Sequence, residues 1–315
     1  WLPGERSRSA ALADAEGAAV ESRSAAARLR VAAAVREAWW QWQRARIEVD
    51  SARDRLDHAR RLAADVARRL KAGELARADQ HQADGAMAAA ESELVRAEAG
   101  LAAAGQHLKA LAGAAPVASD AVGTAEQLPP AAAAGEIDAA HAALQELKDR
   151  STVAERAAAL AATRSRANPE LTLSTTRDRG SFGEAAQQTF TLGVRIPFGG
   201  GPRQDARSAG ARAEALDLQA QWALERERLG AEREAARVRV EAARAQLAAA
   251  ERRATLARES RGFFDKSFRL GETDLPTRLR IDAEAADAER QAALGRIELA
   301  AAISAWRQAL GLLPP

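Results

Sequence analysis

The residues of this 315-residue chain that could do chemistry are few and poorly spaced for it. Four histidines, His58, His81, His107 and His141, lie far apart, with no HExxH run and no carboxylate-flanked pair. The chain has no cysteine and one methionine, which rules out a disulfide and a catalytic thiol and argues against a dedicated metal centre. No hydroxyl nucleophile stands at a recognisable spacing from a base, so neither an enzyme nor a cofactor is expected. The run QTFTLGVRIPFGGGPR at 188–203 invites comparison with a phosphate-binding loop, because glycines before a helix can aim backbone N–H groups at a phosphate. It lacks the closing Gly-Lys-Ser/Thr, and its strand alternates instead of being apolar throughout, as a buried βαβ strand would be. That reading is set aside. Trp39, Trp40 and Trp42 put three aromatics within four positions, enough to cover much of a helix circumference. They read as packing at a helix or subunit junction in preference to a ligand box.

The elements that would hold such residues are long helices. Hydrophobic residues make up 47% of the chain, but much of that is alanine and only 4% is aromatic, so a bulky globular core cannot be built. Small side chains instead let long helices approach closely, burying a modest area per residue over a great length. Lys and Arg total 46 against 44 Asp and Glu, a net charge of +2. The charges alternate along helical faces without clustering, the pattern of solvated faces with i,i+4 pairs, and no nucleic-acid partner is expected. No run approaches the roughly 20 apolar residues of a membrane helix. The opening WLPGERSRSA reads as the middle of something longer.

Glycines and prolines mark the organisation. A helix is expected from Ser7 to about Leu70, roughly 95 Å at 1.5 Å per residue, broken at Gly73 in RRLKAGELARAD. A second runs from about Ala76 to Leu111, before Gly113. The second half repeats this: a helix opens after Pro202, runs to about Arg269, breaks at Gly271 in FRLGETDLPTR, and returns to Leu310 before Gly311. Gly73 and Gly271 are 198 residues apart, as are Gly113 and Gly311 (271 − 73 and 311 − 113). This is an internal duplication. Residues 1–113 form the first strand end and long helical hairpin, and 114–134, rich in Ala, Pro and Gly, form a connector. Residues 135–315 form the second repeat: a helix at 136–167, a β-hairpin at 169–198, and a long helical hairpin at 203–311.

Two strands interrupt the helices. PELTLSTT puts Leu171 and Leu173 on one face against Thr172, Ser174 and Thr176; QTFTLGVRIPF puts Phe190, Leu192, Val194, Ile196 and Phe198 against Thr189, Thr191, Gly193 and Arg195. With the polar loop RDRGSFGEAAQ between them they read as a β-hairpin, Leu171–Thr176 pairing with Thr189–Ile196. A lone hairpin in water is marginal. Apolar-out and polar-in alternation is the pattern of a membrane β-barrel, with Leu171, Leu173, Phe190, Leu192, Val194 and Ile196 facing lipid. Two strands cannot close a barrel, so further copies must complete it. The soluble alternative is an amphipathic hairpin lying over a coiled coil.

Taken together, NPELTLSTTRDRG at 168–180, TLGVRIPFGGGPRQDARSAGARAEA at 191–215 and the two helical turns resemble the TolC-type outer-membrane efflux channels over essentially the whole chain. The run from Asn168 to Ala215 looks most like their CzcC-like, heavy-metal cation efflux branch. The resemblance implies a mainly α fold of duplicated helical hairpins forming a tunnel, with the β-hairpin contributing to a transmembrane barrel shared by three protomers. It implies a homotrimer in the outer membrane with most of the chain in the periplasm, a passive conduit for cations or small toxic compounds. An inner-membrane resistance-nodulation-division pump would drive it through a periplasmic adaptor, with no resident metal or cofactor. The first helix and most of the first strand hairpin of a full repeat would be missing, WLPGERSR being the tail of the second strand. The helical turns would lie farthest from the membrane, and matching turns in the family engage the adaptor, which assigns Leu70, Gly73, Glu74, Arg269, Gly271, Glu272 and Thr273 to docking. In that family, acidic residues six and nine places after the second glycine narrow the pore. Here those places hold Thr277 and Arg280, and the acid in register is Asp79, six after Gly73, so these three are the candidate constriction. The competing reading is a non-pore coiled-coil or adaptor protein, which should carry one helical hairpin and strand-rich domains.

Overall fold

A computed structural model of the chain describes residues 3–114, 126–129, 141–164, 169–197 and 201–314. Five helices and two strands follow in the order α1 Glu5–Lys71, α2 Arg77–Ala112, α3 Ala142–Thr163, β1 Glu170–Asp178, β2 Gln187–Arg195, α4 Pro202–Arg269 and α5 Leu275–Ala309. The fold is mainly helical with one short strand pair, as its alternation and its glycine breaks predict. Helix α3 begins later than the expected residue 136 within the described chain: His141 is its extended N-cap. Residues 136–140 and 165–168, most of the connector, and Phe198 with the first two glycines of GGGP lie outside the described residues.

Two compact units, each drawing on both halves of the sequence, make up the chain. The first comprises Trp1–Ala27 and Asp138–Arg228. In it, α3 packs on α4 through Ala154, Ala215 and Leu218. Where the chain leaves α3 toward the strands, Arg164 Nε donates to Glu5 Oε1 at 2.7 Å, and Gln204 Nε2 donates to the Ala161 carbonyl at 2.9 Å. Glu5 is 2% exposed, so this is a largely desolvated carboxylate held by a guanidinium. These contacts tie the starts of α1 and α4 to the end of α3.

The second unit comprises Arg28–Ile137 and Leu229–Pro315. The three tryptophans distribute around α1: Trp42, beside Ala38 of the same helix, packs with Leu108 of α2, Trp40 packs with Ile297 and Ala300 of α5, and Trp39 touches both groups. Helices α4 and α5 meet along an alanine seam of Ala250, Ala254 and Ala257 against Ala288 and Ala292. A Cβ at Gly295 would come within 3.3 Å of Leu247 Cδ1, a measure of how closely these helices approach. That closeness lets arginines reach across, so many charge pairs bridge two helices where the sequence pattern led us to expect pairs along one. Examples are Arg55–Glu93 at 2.5 Å, Arg44–Glu298 at 2.5 Å and Arg290–Glu48 at 2.9 Å. Each such exposed pair contributes little, about 0–1 kcal/mol.

The described part of the connector is pinned. Arg36, 8% exposed, donates from Nη2 to Glu126 Oε1 at 2.6 Å and from Nη1 to Gln308 Oε1 and the Leu312 carbonyl. Arg307 Nη1 donates to the Gln127 carbonyl at 3.1 Å. One buried guanidinium thus joins α1, the connector and the end of α5.

Candidate functional site

The strand pair is antiparallel, with Leu171 opposite Val194, Leu173 opposite Leu192, and Thr176 opposite Thr189. The ladder runs farther toward the loop than the apolar residues do, taking in Arg177–Gln188 and Asp178–Gln187, because backbone hydrogen bonds do not require an apolar side chain. Ile196 lies one residue beyond β2. Opposite residues share a face, so Leu171, Leu173, Thr175, Phe190, Leu192 and Val194 form one side. Glu170, Thr172, Ser174, Thr176, Thr189, Thr191, Gly193 and Arg195 form the other. The five large apolar residues in the strands are 63–73% exposed, and Ile196 is 46% exposed. An apolar face left this open marks an interaction surface. Among the described residues the sheet has two strands, so each strand also keeps an unpaired edge. Nine residues at about 3.3 Å each span roughly 30 Å, in the range of a membrane β-strand. On the polar face Arg195 lies 3.7 Å from Glu170.

The two helical turns are built alike. Gly73 has φ +80° and Gly271 φ +77°, the left-handed region that side chains with a Cβ resist. Gly73 N–H donates to the Leu70 carbonyl at 3.0 Å and Glu74 N–H to the Arg69 carbonyl at 2.9 Å. At the second turn Gly271 N–H donates to Phe268 at 3.1 Å and Glu272 N–H to Ser267 at 3.0 Å. This pair of bonds is the Schellman motif that closes a helix by satisfying its last carbonyls. The side chains differ. Leu70 is half-buried and Glu74 exposed; Arg269 is exposed and paired with Asp265; Glu272 is exposed and accepts from Ser267 Oγ at 3.4 Å; Thr273 shares a 2.6 Å hydrogen bond with Ser267.

Beneath the turns lies a cluster of Leu62, Ala63, Val66, Ala83, Phe268 and Leu275, with Phe268 2% exposed. The guanidinium carbons of Arg69 and Arg278 stand 5.0 and 4.8 Å from the Phe268 ring centroid, within cation–π range. Arg69 also donates to the Phe268 carbonyl at 3.1 Å, and Arg278 pairs with Asp265. Sequence reasoning missed this group. The available signal was an aromatic, rare in this chain, standing three residues before a helix-ending glycine.

The three constriction candidates are all engaged locally. Asp79 Oδ2 accepts from the Ala76 N–H at 2.9 Å, reaching back to satisfy the start of α2. Thr277 N–H donates to Asp274 Oδ1 at 3.1 Å, making Asp274 the N-cap of α5. The Thr277 hydroxyl and N–H hold the Asp274 carboxyl below the usual carboxylate range. Arg280 pairs with Glu284 at 2.6 Å. Among the described residues no group of three or more His, Asp or Glu side chains could hold a metal ion, and no helix is long and apolar enough to cross a membrane.

No protein-family model matches the chain, and no curated protein matches it in sequence. Solved structures match it in fold. A membrane protein from Pseudomonas aeruginosa superposes with a TM-score of 0.81 at 19% identity, covering 98% of this chain and 74% of that one. The chain has the fold of an outer-membrane channel protomer. The outer membrane protein VceC of Vibrio cholerae gives 0.78 at 18% identity, covering 98% of this chain and 76% of its own. The open-state outer membrane channel MtrE of Neisseria gonorrhoeae gives 0.76 at 15%, covering 98% and 72%. At these identities the channel fold is what is shared, and nothing in the matches distinguishes a CzcC-like branch from the rest.

Proposed function

We propose that this chain is a protomer of a trimeric outer-membrane channel, the passive outer conduit of a tripartite efflux system. The observation that carries the proposal is the two-faced hairpin: an exposed apolar side, a hydroxyl-lined side and, among the described residues, two open edges. That combination suits one place, a barrel wall between lipid and water whose remaining strands come from elsewhere. The channel fold over nearly the whole chain supports the same conclusion. In this reading the helices form a periplasmic tunnel, and the turns carrying Leu70, Gly73, Glu74, Arg269, Gly271, Glu272 and Thr273 dock a periplasmic adaptor and a resistance-nodulation-division pump. Export of cations or small toxic compounds, in the manner of the heavy-metal branch, follows from the resemblance of residues 168–215. If metal ions are the cargo, the resemblance implies that selectivity sits in the inner-membrane pump. The non-pore adaptor reading calls for strand-rich domains, whereas the described residues hold one two-stranded sheet. Reconstituted into planar bilayers, the protein should give stable conductance steps and cross-link as a trimer. A protein that stays monomeric in detergent and never conducts would rule the channel out.

A further inference from the structure

The apolar face of the hairpin ends differently at its two extremities. At the end adjoining the helices, Glu170 and Arg195 pair with each other on the opposite, polar face. At the loop end the apolar face runs from Leu171 and Leu173 through Thr175 to Arg177, opposite Gln188. Alternation carried one residue past β1 puts Arg179 on that side as well, while Asp178 between them falls on the polar face with Gln187. The pleat therefore places Arg177 toward the apolar side and Asp178 away from it, and Arg179, one residue beyond the strand, continues the register of Arg177. Both arginines are exposed, and among the described residues neither guanidinium has an ion-pair or hydrogen-bond partner. Phe182, in the loop that follows, is fully exposed.

We infer that Arg177 and Arg179 form a binding surface for the phosphate of a phosphorylated lipid headgroup, set at the loop end of the apolar band with Phe182 beside it. The inference rests on the membrane reading of the hairpin. An unpaired arginine at the end of a lipid-facing strand is costly at the bilayer midplane but tolerated near the interface, where its planar donors match phosphate oxygens. Two such groups and an exposed aromatic at the loop end would also fix which end of the hairpin faces the anionic leaflet. The polar face offers no equivalent, since its arginine is paired with Glu170.

The test mixes the full chain, held in detergent, with preformed vesicles of phosphatidylcholine alone or of phosphatidylcholine containing phosphatidic acid, and measures co-flotation. Each cation near an anionic lipid surface contributes about fivefold, so the wild-type chain should partition roughly 25-fold more strongly into the phosphatidic acid vesicles, an advantage that salt diminishes. Arg177→Gln with Arg179→Gln should abolish that advantage while leaving association with pure phosphatidylcholine unchanged. Arg195→Gln, on the polar face, should preserve it. Equal wild-type partitioning into both vesicles, or an equal loss from Arg195→Gln, would overturn the inference while the membrane reading stood. No association with either vesicle would overturn the membrane reading itself. If instead the chain in detergent binds inorganic phosphate through the two arginines and shows no lipid preference, the site belongs to free phosphate and the lipid assignment is wrong.

Discussion

Around Gly73 the last turn of α1 closes over a half-buried Leu70, whereas around Gly271 the equivalent turn of α4 closes over Phe268, buried with two guanidiniums near its ring. The hydrogen bonds are the same at both, and the glycine conformations agree within a few degrees. The carboxylate that satisfies the following helix has moved, from Asp79, six residues after Gly73, to Asp274, three after Gly271. Duplication thus preserves what is written locally in the backbone, a left-handed glycine after a helix, and leaves side chains free to diverge. Transferring a functional residue from one repeat to the other by register is therefore unsafe. The acid six places after Gly73 has Thr277 as its counterpart, whose N–H donates to the cap instead.

The largest effect should come from the packing difference. Phe268→Ala removes a buried ring from the cluster beneath the turns and should cost about 3–5 kcal/mol, while Leu70→Ala, half-buried at the matching position, should cost roughly 1–2 kcal/mol. Urea unfolding followed by helical circular dichroism measures both, and equal losses would erase the distinction between the turns.

A smaller effect separates the caps. Because the Asp274 carboxyl titrates below the usual carboxylate range, its contribution is present above the pKa of an unfolded aspartate and is lost as pH falls through the depressed folded value. Amide exchange in the first turn of α5 should therefore speed up under acid conditions, and Asp274→Ala should produce that faster exchange at neutral pH. Asp79→Ala should instead speed exchange at the Ala76 amide. Exchange that is indifferent to Asp274→Ala would remove the cap from the account.

The smallest effect on stability should be the most damaging to function. Glu74→Lys with Glu272→Lys changes exposed side chains and should leave folding within about 0.5 kcal/mol, with trimer assembly and membrane insertion intact. Export with the native adaptor should be abolished. Full efflux by the double variant would mean that the turns do not dock through these charges.

Much of the architecture was legible because its signals are local. Gly73, Gly271 and the alternation of 189–196 each specify a conformation within a few residues. The Phe268 cluster was not, since Arg69 stands about 200 positions away and only packing brings α1, α4 and α5 together. Arg36 was hidden for a related reason: in an alternating Arg–Glu helix nothing marks the one arginine that is buried by Glu126 and the end of α5. Register singled out Asp79 among the constriction candidates, but it could not reveal that this carboxylate also accepts from the Ala76 N–H at the start of α2.

The central claim is that one side of the hairpin meets lipid and the other meets water, and neighbouring residues of β2 test it directly. Leu192 lies on the apolar side and Thr191 on the polar side, opposite Ser174. An arginine facing lipid at the midplane costs roughly 2–4 kcal/mol, whereas a lumen-facing one is tolerated. The measurement is the yield of folded protein in the outer membrane for Leu192→Arg and Thr191→Arg side by side. The account predicts a severe loss for Leu192→Arg and near wild-type yield for Thr191→Arg; equal yields, or the reverse order, would contradict it.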